Sequence, residues 1–432
     1  MKKVYTCFCT DVIHEGHRNI IEQAQKYGEV TVGVLCDYQM IRYNRFPSIS
    51  FEERVAMVKG LEGVSHVVVQ EQIMYDEILK KLRPDYVIHG DNWKQGPESV
   101  IRENVLFNLK LLGGGSLIEI PYTWNNAVKK AEETAREKLA MPELRRRRLR
   151  ELLRICPVVK TIEVHSGLTG LIAEKTVVQD GEGLDQFDAM WISSLCDSTT
   201  RGKPDIELID MSSRIRTIDE VMDVTTKPVI LDGDTGGLVE HFTYNVRTLE
   251  RMGVSAIIIE DKVGQKKNSL FGTQVRQTQD SIENFCEKIS AGKDAQRTED
   301  FMIIARIESL ILEKGMEDAL KRAMAYVEAG ADGIMIHSRK PEPDEIFEFC
   351  DRFRDQDVTT PIVVVPTTYC DTYESELISH GVNIVIYANQ LTRSAFPAME
   401  NTAKNILLNH RAREAEETLI PFYKIITLID TI

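Results

Sequence analysis

The chain has 432 residues, a formal net charge of −14 and a pI near 5.3, an acidic balance that argues against a nucleic-acid surface and for a small-molecule partner. Its length exceeds what one core supports, so two domains are expected, one with room for a full barrel of roughly 250 residues. The 8 cysteines show no repeated CxxC pairing, which excludes a disulfide framework or zinc ribbon, and no apolar run reaches the roughly 18 residues of a membrane span, so a cytoplasmic protein without a membrane partner is expected.

Strand and helix signals alternate from the start. Strands are predicted over 4–9, 30–36, 64–69, 86–89 and 117–120, and helices over 17–27, 51–61, 75–82 and 100–112, a doubly wound, Rossmann-like α/β pattern for a domain over 1–125. Residues 126–157 are rich in Ala, Glu, Lys and Arg with a break at Pro142 and read as a helical linker. Its run Arg145 to Arg148 reads as a surface helix or an inter-subunit salt bridge, because no aromatic residues interleave as they would against nucleic acid. Over 158–432, eight short apolar strands fall at 161–165, 189–192, 229–231, 256–259, 303–305, 333–336, 362–365 and 384–387, each followed by a helical or polar stretch. Eight such units imply a closed (β/α)8 barrel with its chemistry at the strands' C-terminal ends.

Those ends are polar. Ser193 and Ser194 follow the second strand, Asp232 and Asp234 the third, Glu260 the fourth, Arg306 and Glu308 the fifth, and His337 the sixth. Carboxylates on adjacent strands repel unless a cation lies between them, and all-oxygen donors suit magnesium. One Mg2+ is therefore expected, ligated directly by Asp232, with Asp234 and Glu260 acting through water. Arg306 and His337 can hold an anion, and Ser193, Ser194 and the turn to Leu195 supply neutral donors for a carboxylate or enolate oxygen.

The motifs Leu231-Asp232-Gly233-Asp234-Thr235-Gly236, Glu260-Asp261-Lys262 with Lys266 and Asn268-Ser269, Ala305-Arg306-Ile307-Glu308 and Met335-Ile336-His337-Ser338 resemble those of the phosphoenolpyruvate mutases in the isocitrate lyase superfamily. The resemblance implies isomerisation of phosphoenolpyruvate to phosphonopyruvate, forming a carbon–phosphorus bond in phosphonate biosynthesis. It also implies that Arg306, His337, Asn268 and Lys266 hold the phosphoryl group, that Mg2+ with Ser193, Ser194 and Leu195 holds the enolate, and that Trp191 and Ser269 complete the substrate pocket. Asp205 matches an essential aspartate near the phosphoryl path, and residues 261–278 match a lid. The alternatives on the same barrel are a carbon–carbon lyase, whose loop cysteine is missing between Glu260 and Asp280, and a phosphonopyruvate hydrolase, which carries threonine where this chain has Asn268. The family further implies a homo-oligomer, dimer or tetramer, exchanging helices near 395–408.

Near the N-terminus, Asp11, His14, Gly16 and His17 open the first helix, where N–H groups and imidazoles can cradle phosphates. With Phe51-Glu52-Glu53-Arg54 and His89-Gly90-Asp91-Asn92-Trp93, this HxGH segment resembles the glycerol-3-phosphate cytidylyltransferase family. The family's Thr-x-Gly-Ile-Ser-Ser/Thr-Thr turn is replaced by Thr123-Trp124-Asn125-Asn126, and Thr10 stands where phenylalanine is usual. Two readings follow: a CTP-dependent cytidylyltransferase acting on a phosphonate, or a non-catalytic nucleotide-binding or structural module.

Overall fold

The computed structural model describes residues 1–43, 45–96, 98–180, 183–264 and 266–429; Gln265, in the expected lid, lies outside them. The N-terminal unit is a five-stranded parallel sheet formed by Lys3–Phe8, Glu29–Leu35, His66–Gln70, Tyr86–Gly90 and Ser116–Ile120. Its strand order is third, second, first, fourth, fifth. The order reverses between the first and fourth strands, which pair at Val4 and Tyr86, and a doubly wound sheet opens a ligand crevice at such a point.

The barrel closes in chain order through Val159–Val164, Ala189–Ile192, Val229–Asp232, Ala256–Glu260, Met302–Ile307, Gly333–Ile336, Ile362–Val364 and Ile384–Tyr387, the last pairing with the first at Ile384 and Val159. Because side chains alternate along a strand, Ile230, Ile258, Ile304, Val363 and Ile386 fill the interior, while Leu231, Ile257 and Ile303 pack outward against the helices.

The linker is two helices, Asn126–Ala140 and Pro142–Ile155, with Pro142 at the first position of the second. That second helix does not lie on the surface. Leu149 and Leu152 join the barrel-interior core and form its floor, and Arg145, Arg146 and Arg148 are buried beside them. Their partners are backbone carbonyls: Arg145 Nη2 donates to Met222 O and Thr225 O at 3.1 and 2.8 Å, Arg146 Nη1 to Glu250 O at 2.7 Å, and Arg148 to Thr226 O. Carbonyls at helix C-termini lack intrahelical partners, so cations are drawn to them. Arg145 and Arg146 thus cap two barrel helices and Arg148 holds the loop after one of them, while Arg147 stays exposed beside Glu151, an arrangement that composition alone does not distinguish from a solvated charge run.

The short helix Asp37–Arg42 and the hairpin strands Val177–Asp180 and Gly183–Gln186 were not anticipated from the sequence. They join the two units. Arg42 pairs with Asp185 at 2.8 Å and with Asp188, and Gln186 Nε2 donates to Ile41 O. Near the C-terminus, the helix Gln390–Asn409 buries none of its residues and exposes Phe396, Met399, Leu407 and Leu408. Among the described residues, no helix is long and apolar enough to cross a membrane.

Candidate active site

A cleft opens at the C-terminal mouth of the barrel. The second strand delivers Trp191, Ser193, Ser194 and Leu195; the third, Asp232; the fifth, Arg306; the sixth, His337. Asp205, Lys266, Asn268 and Ser269 enter from loops above. Asp234 and Glu260 stand behind this lining.

The Asp-Gly-Asp segment is shaped by packing. A Cβ on Gly233 would lie 2.6 Å from Ile257 Cγ1 and 2.9 Å from Ile258 O, so only glycine lets the third strand run against the fourth. Asp234 follows with φ of +54°, a left-handed conformation that aspartate tolerates better than most residues. Ser193 caps the helix Ser194–Thr200, and Ser194 donates to Asp232 Oδ2 from its N–H at 3.2 Å and its hydroxyl at 2.8 Å. Burial opposes charge on Asp232, yet Lys266, Arg214 and Arg306 hold its carboxyl well below the usual range.

Lys266 spans the cleft. Its Nζ contacts Ser194 Oγ at 2.5 Å, Asp205 Oδ1 at 3.1 Å and Asp234, and these carboxylates outweigh burial to keep it charged. Asn268 Nδ2 donates to Asp205 Oδ2 at 3.1 Å, while its Oδ1 accepts from Leu270 N at 3.0 Å. The base of the loop is pinned where Lys262–Val263 pairs with Thr278–Gln279. Asp261, pointing away from the cleft, accepts from Arg322, Tyr326, Gln279 and the Glu308 N–H.

On the facing wall, Arg306 Nε donates to Glu308 Oε1 at 2.6 Å and Nη2 to Ser269 Oγ at 2.6 Å. Ser269 in turn donates to Glu308 Oε2 at 2.7 Å. Glu308 and Lys262, which ion-pairs with Glu260 at 3.1 Å, were not singled out as site residues. The signal for Glu308 was its spacing: residues 306 and 308 share a strand face. Burial, reinforced by Arg306, lowers His337 to about 3, so its imidazole is neutral at ordinary pH; Nδ1 is buried with no hydrogen-bond partner among the described residues. Thr367 and Asn389, after the seventh and eighth strands, also line the cleft and were missed.

Among the described residues, no three His, Cys, Asp or Glu side chains are arranged to hold a metal ion by themselves. The donor set nevertheless suits a hard cation that keeps most of its water. Asp232 faces the cleft among hydroxyls, whereas Glu260 Oε1, which makes no hydrogen bond among the described residues, is held by the charge of Lys262 Nζ at 3.1 Å.

A second cleft lies at the N-terminal sheet's reversal point and is lined by His14, Gly16, His17, His89, Arg45 and Tyr122 among others. His14 caps the first helix, its Nδ1 accepting from Gly16 N at 3.1 Å. A Cβ on Gly16 would come within 2.9 Å of that ring. Burial lowers His14, and lowers His17 to about 3 with His14 adding to it. Asp11 Oδ2 accepts from Ser48 N at 2.7 Å and faces the adjoining cavity. The replaced turn has other tasks: Thr123 Oγ1 accepts from Asn19, and Asn125 caps the linker helix. That helix carries Glu132 into the cleft, where its carboxylate acts on Tyr122, Arg45 and His14 through its charge.

A family model described as phosphoenolpyruvate phosphomutase matches residues 149–407, and one described as cytidylyltransferase-like matches residues 5–114. A phosphoenolpyruvate phosphomutase of Streptomyces hygroscopicus is 37% identical over 285 residues, 66% of this chain and 87% of the relative. A crystal structure of phosphoenolpyruvate phosphomutase from Streptomyces platensis subsp. rosaceus superposes with a TM-score of 0.60 at 35% identity, covering 65% of this chain and 93% of that one. A phosphonopyruvate hydrolase in complex with oxalate and Mg2+ superposes with a TM-score of 0.58 at 32% identity, covering 66% and 94%.

Proposed function

As the chain belongs to the phosphoenolpyruvate phosphomutase family, we propose that its barrel isomerises phosphoenolpyruvate and phosphonopyruvate by moving one phosphoryl group between the enol oxygen and the methylene carbon of the same molecule. The observation that carries this reading is the wall formed by Lys266, Asn268 and Ser269, closed onto Asp205, Asp234 and Glu308, with no cysteine in the described lining.

The P–O bond breaks as the C–P bond forms, and no proton is exchanged. A loose transition state spreads charge over three phosphoryl oxygens, so fixed donors supply most of the stabilisation. Arg306, Lys266, Asn268 and the neutral His337 converge on the cleft for that task. Ser193, Ser194 and Leu195 with Trp191 hold the enolate end. Asp205 binds both Lys266 and Asn268, so the loop and its donors close together and exclude water from the transferring group. Asp232 would hold Mg2+, with Asp234 and Glu260 acting through water; the ion would neutralise the enolate and carboxylate oxygens. Phosphorus NMR on phosphonopyruvate with Mg2+ tests the reading. The phosphoenolpyruvate resonance is expected, release of inorganic phosphate would favour the hydrolase, and unchanged substrate would overturn both.

For the N-terminal domain, the position of Glu132 favours the non-catalytic reading over CTP-dependent transfer to a phosphonate. A carboxylate beside His14 and Arg45 repels a triphosphate and competes for the arginine. Calorimetry with CTP and Mg2+ should give little heat for the native chain, and Glu132→Gln should bind about tenfold more tightly. Pyrophosphate release by the native chain would establish the transferase instead. We divide the chain at 1–125, 126–157 and 158–432, the second linker helix serving as the barrel floor. The bare apolar face of Gln390–Asn409 supports a homo-oligomer.

A further inference from the structure

The eighth barrel strand is followed by Ala388, Asn389 and the 20-residue helix Gln390–Asn409. An asparagine at the N-cap ordinarily turns its side-chain oxygen onto the second or third N–H of its own helix. Asn389 makes no such bond. The third N–H, that of Thr392, is taken instead by Glu163 Oε2, 3.3 Å away on the first barrel strand. Glu163 Oε1 also accepts from Thr392 Oγ1 at 3.0 Å, and that hydroxyl lies 3.1 Å from His165 Nδ1. The helix start is therefore fixed by the first strand, and the asparagine amide is released from capping.

The released amide lines the cleft and is only 9% exposed. Its Oδ1 accepts from Arg393 Nη1 at 3.4 Å, which leaves Nδ2 as the remaining donor; among the described residues Nδ2 has no hydrogen-bond partner. Nδ2 is thus not an orphaned buried atom but a donor with some solvent exposure in a side chain that is otherwise nine-tenths buried, and a ligand oxygen can take it without displacing a protein partner. The seventh and eighth strands otherwise present Val365, Thr367 and Ala388 to the cleft, with no charged side chain from them in the described lining.

We infer that Asn389 is a substrate-binding residue whose Nδ2 donates to an anionic oxygen of the substrate. The inference rests on the mutase reading for the identity of that substrate, but not for the presence of an anion. Asn389→Asp keeps the shape and replaces the donor by a negative charge; Asn389→Ala removes both. In the full chain, calorimetry with oxalate plus Mg2+ and, separately, with inorganic phosphate reads the two anionic ends. At least one affinity should fall roughly 30-fold in Asn389→Asp and about tenfold in Asn389→Ala, the KM for phosphonopyruvate should rise correspondingly, and the melting temperature of Asn389→Asp should stay near that of the native chain. Loss confined to oxalate assigns the amide to the carboxylate end, and loss confined to phosphate to the phosphoryl end. Native affinities for both probes in Asn389→Asp, or a lowered melting temperature with binding unchanged, would overturn the inference. Should the native chain bind these anions without turning over phosphonopyruvate, the mutase reading fails while the titrations still decide the role of Asn389.

Discussion

An Arg306→Lys variant should lose about a hundredfold to a thousandfold in kcat/KM for phosphonopyruvate while remaining folded. Arg306 holds three groups at once: Glu308 through Nε at 2.6 Å, Ser269 through Nη2 at 2.6 Å, and Glu260 at 3.6 Å. These contacts engage Nε and Nη2, so in a residue that lines the cleft Nη1 is the nitrogen left for a ligand. A lysine ammonium supplies the same charge from a flexible stem and cannot hold Glu308 and Ser269 while presenting a fixed donor to a phosphoryl oxygen. Lysine is more informative than alanine, because removing the cation would leave Glu308 and Glu260 sharing Lys262, and an uncompensated buried carboxylate typically costs about 3–5 kcal/mol. Initial rates by phosphorus NMR and a thermal melt separate the effects. A variant within tenfold of the native rate would remove Arg306 from the phosphoryl site.

The site was legible where local pattern determines position. Its position just after the fifth apolar strand placed Arg306 at the barrel mouth, and five successive polar strand ends located the cleft because the C-terminal ends of parallel strands lie at one end of the barrel. What could not be read depends on contacts between distant segments. Asp205 meets Lys266 and Asn268 across more than 60 residues, and only the resemblance singled it out. The arginines at 145, 146 and 148 look solvated in sequence, because nothing local says that helix C-termini ending at Met222 and Met252 lie beside them. Asn389 looks like an ordinary cap until Glu163, 226 residues earlier, is seen to take Thr392. The same limit hid Glu132: a helix was predicted there, but its approach to His14 depends on how that helix packs over the N-terminal sheet.

Asn268→Ala should reduce conversion of phosphonopyruvate to phosphoenolpyruvate by about a hundredfold and raise the share of product appearing as pyruvate and inorganic phosphate. The amide works at both ends: Nδ2 ties the loop to Asp205 at 3.1 Å, and Oδ1 starts the short helix Ser269–Gln274 by accepting from Leu270 N at 3.0 Å. Alanine removes both bonds and a donor facing the migrating phosphoryl group, each worth about 1–2 kcal/mol when charge-assisted. Lys266 still reaches Asp205 and Asp234, so the loop retains one latch and closes loosely rather than not at all. Loose closure admits water to a phosphoryl group that is already weakly bonded to both ends, and attack by that water gives pyruvate and phosphate in place of the rearranged product. The two products have separate phosphorus resonances, so one time course measures both rate and partition. A normal rate would remove Asn268 from the site, whereas a slowed rate with no phosphate released would leave it a phosphoryl donor and overturn its part in excluding water.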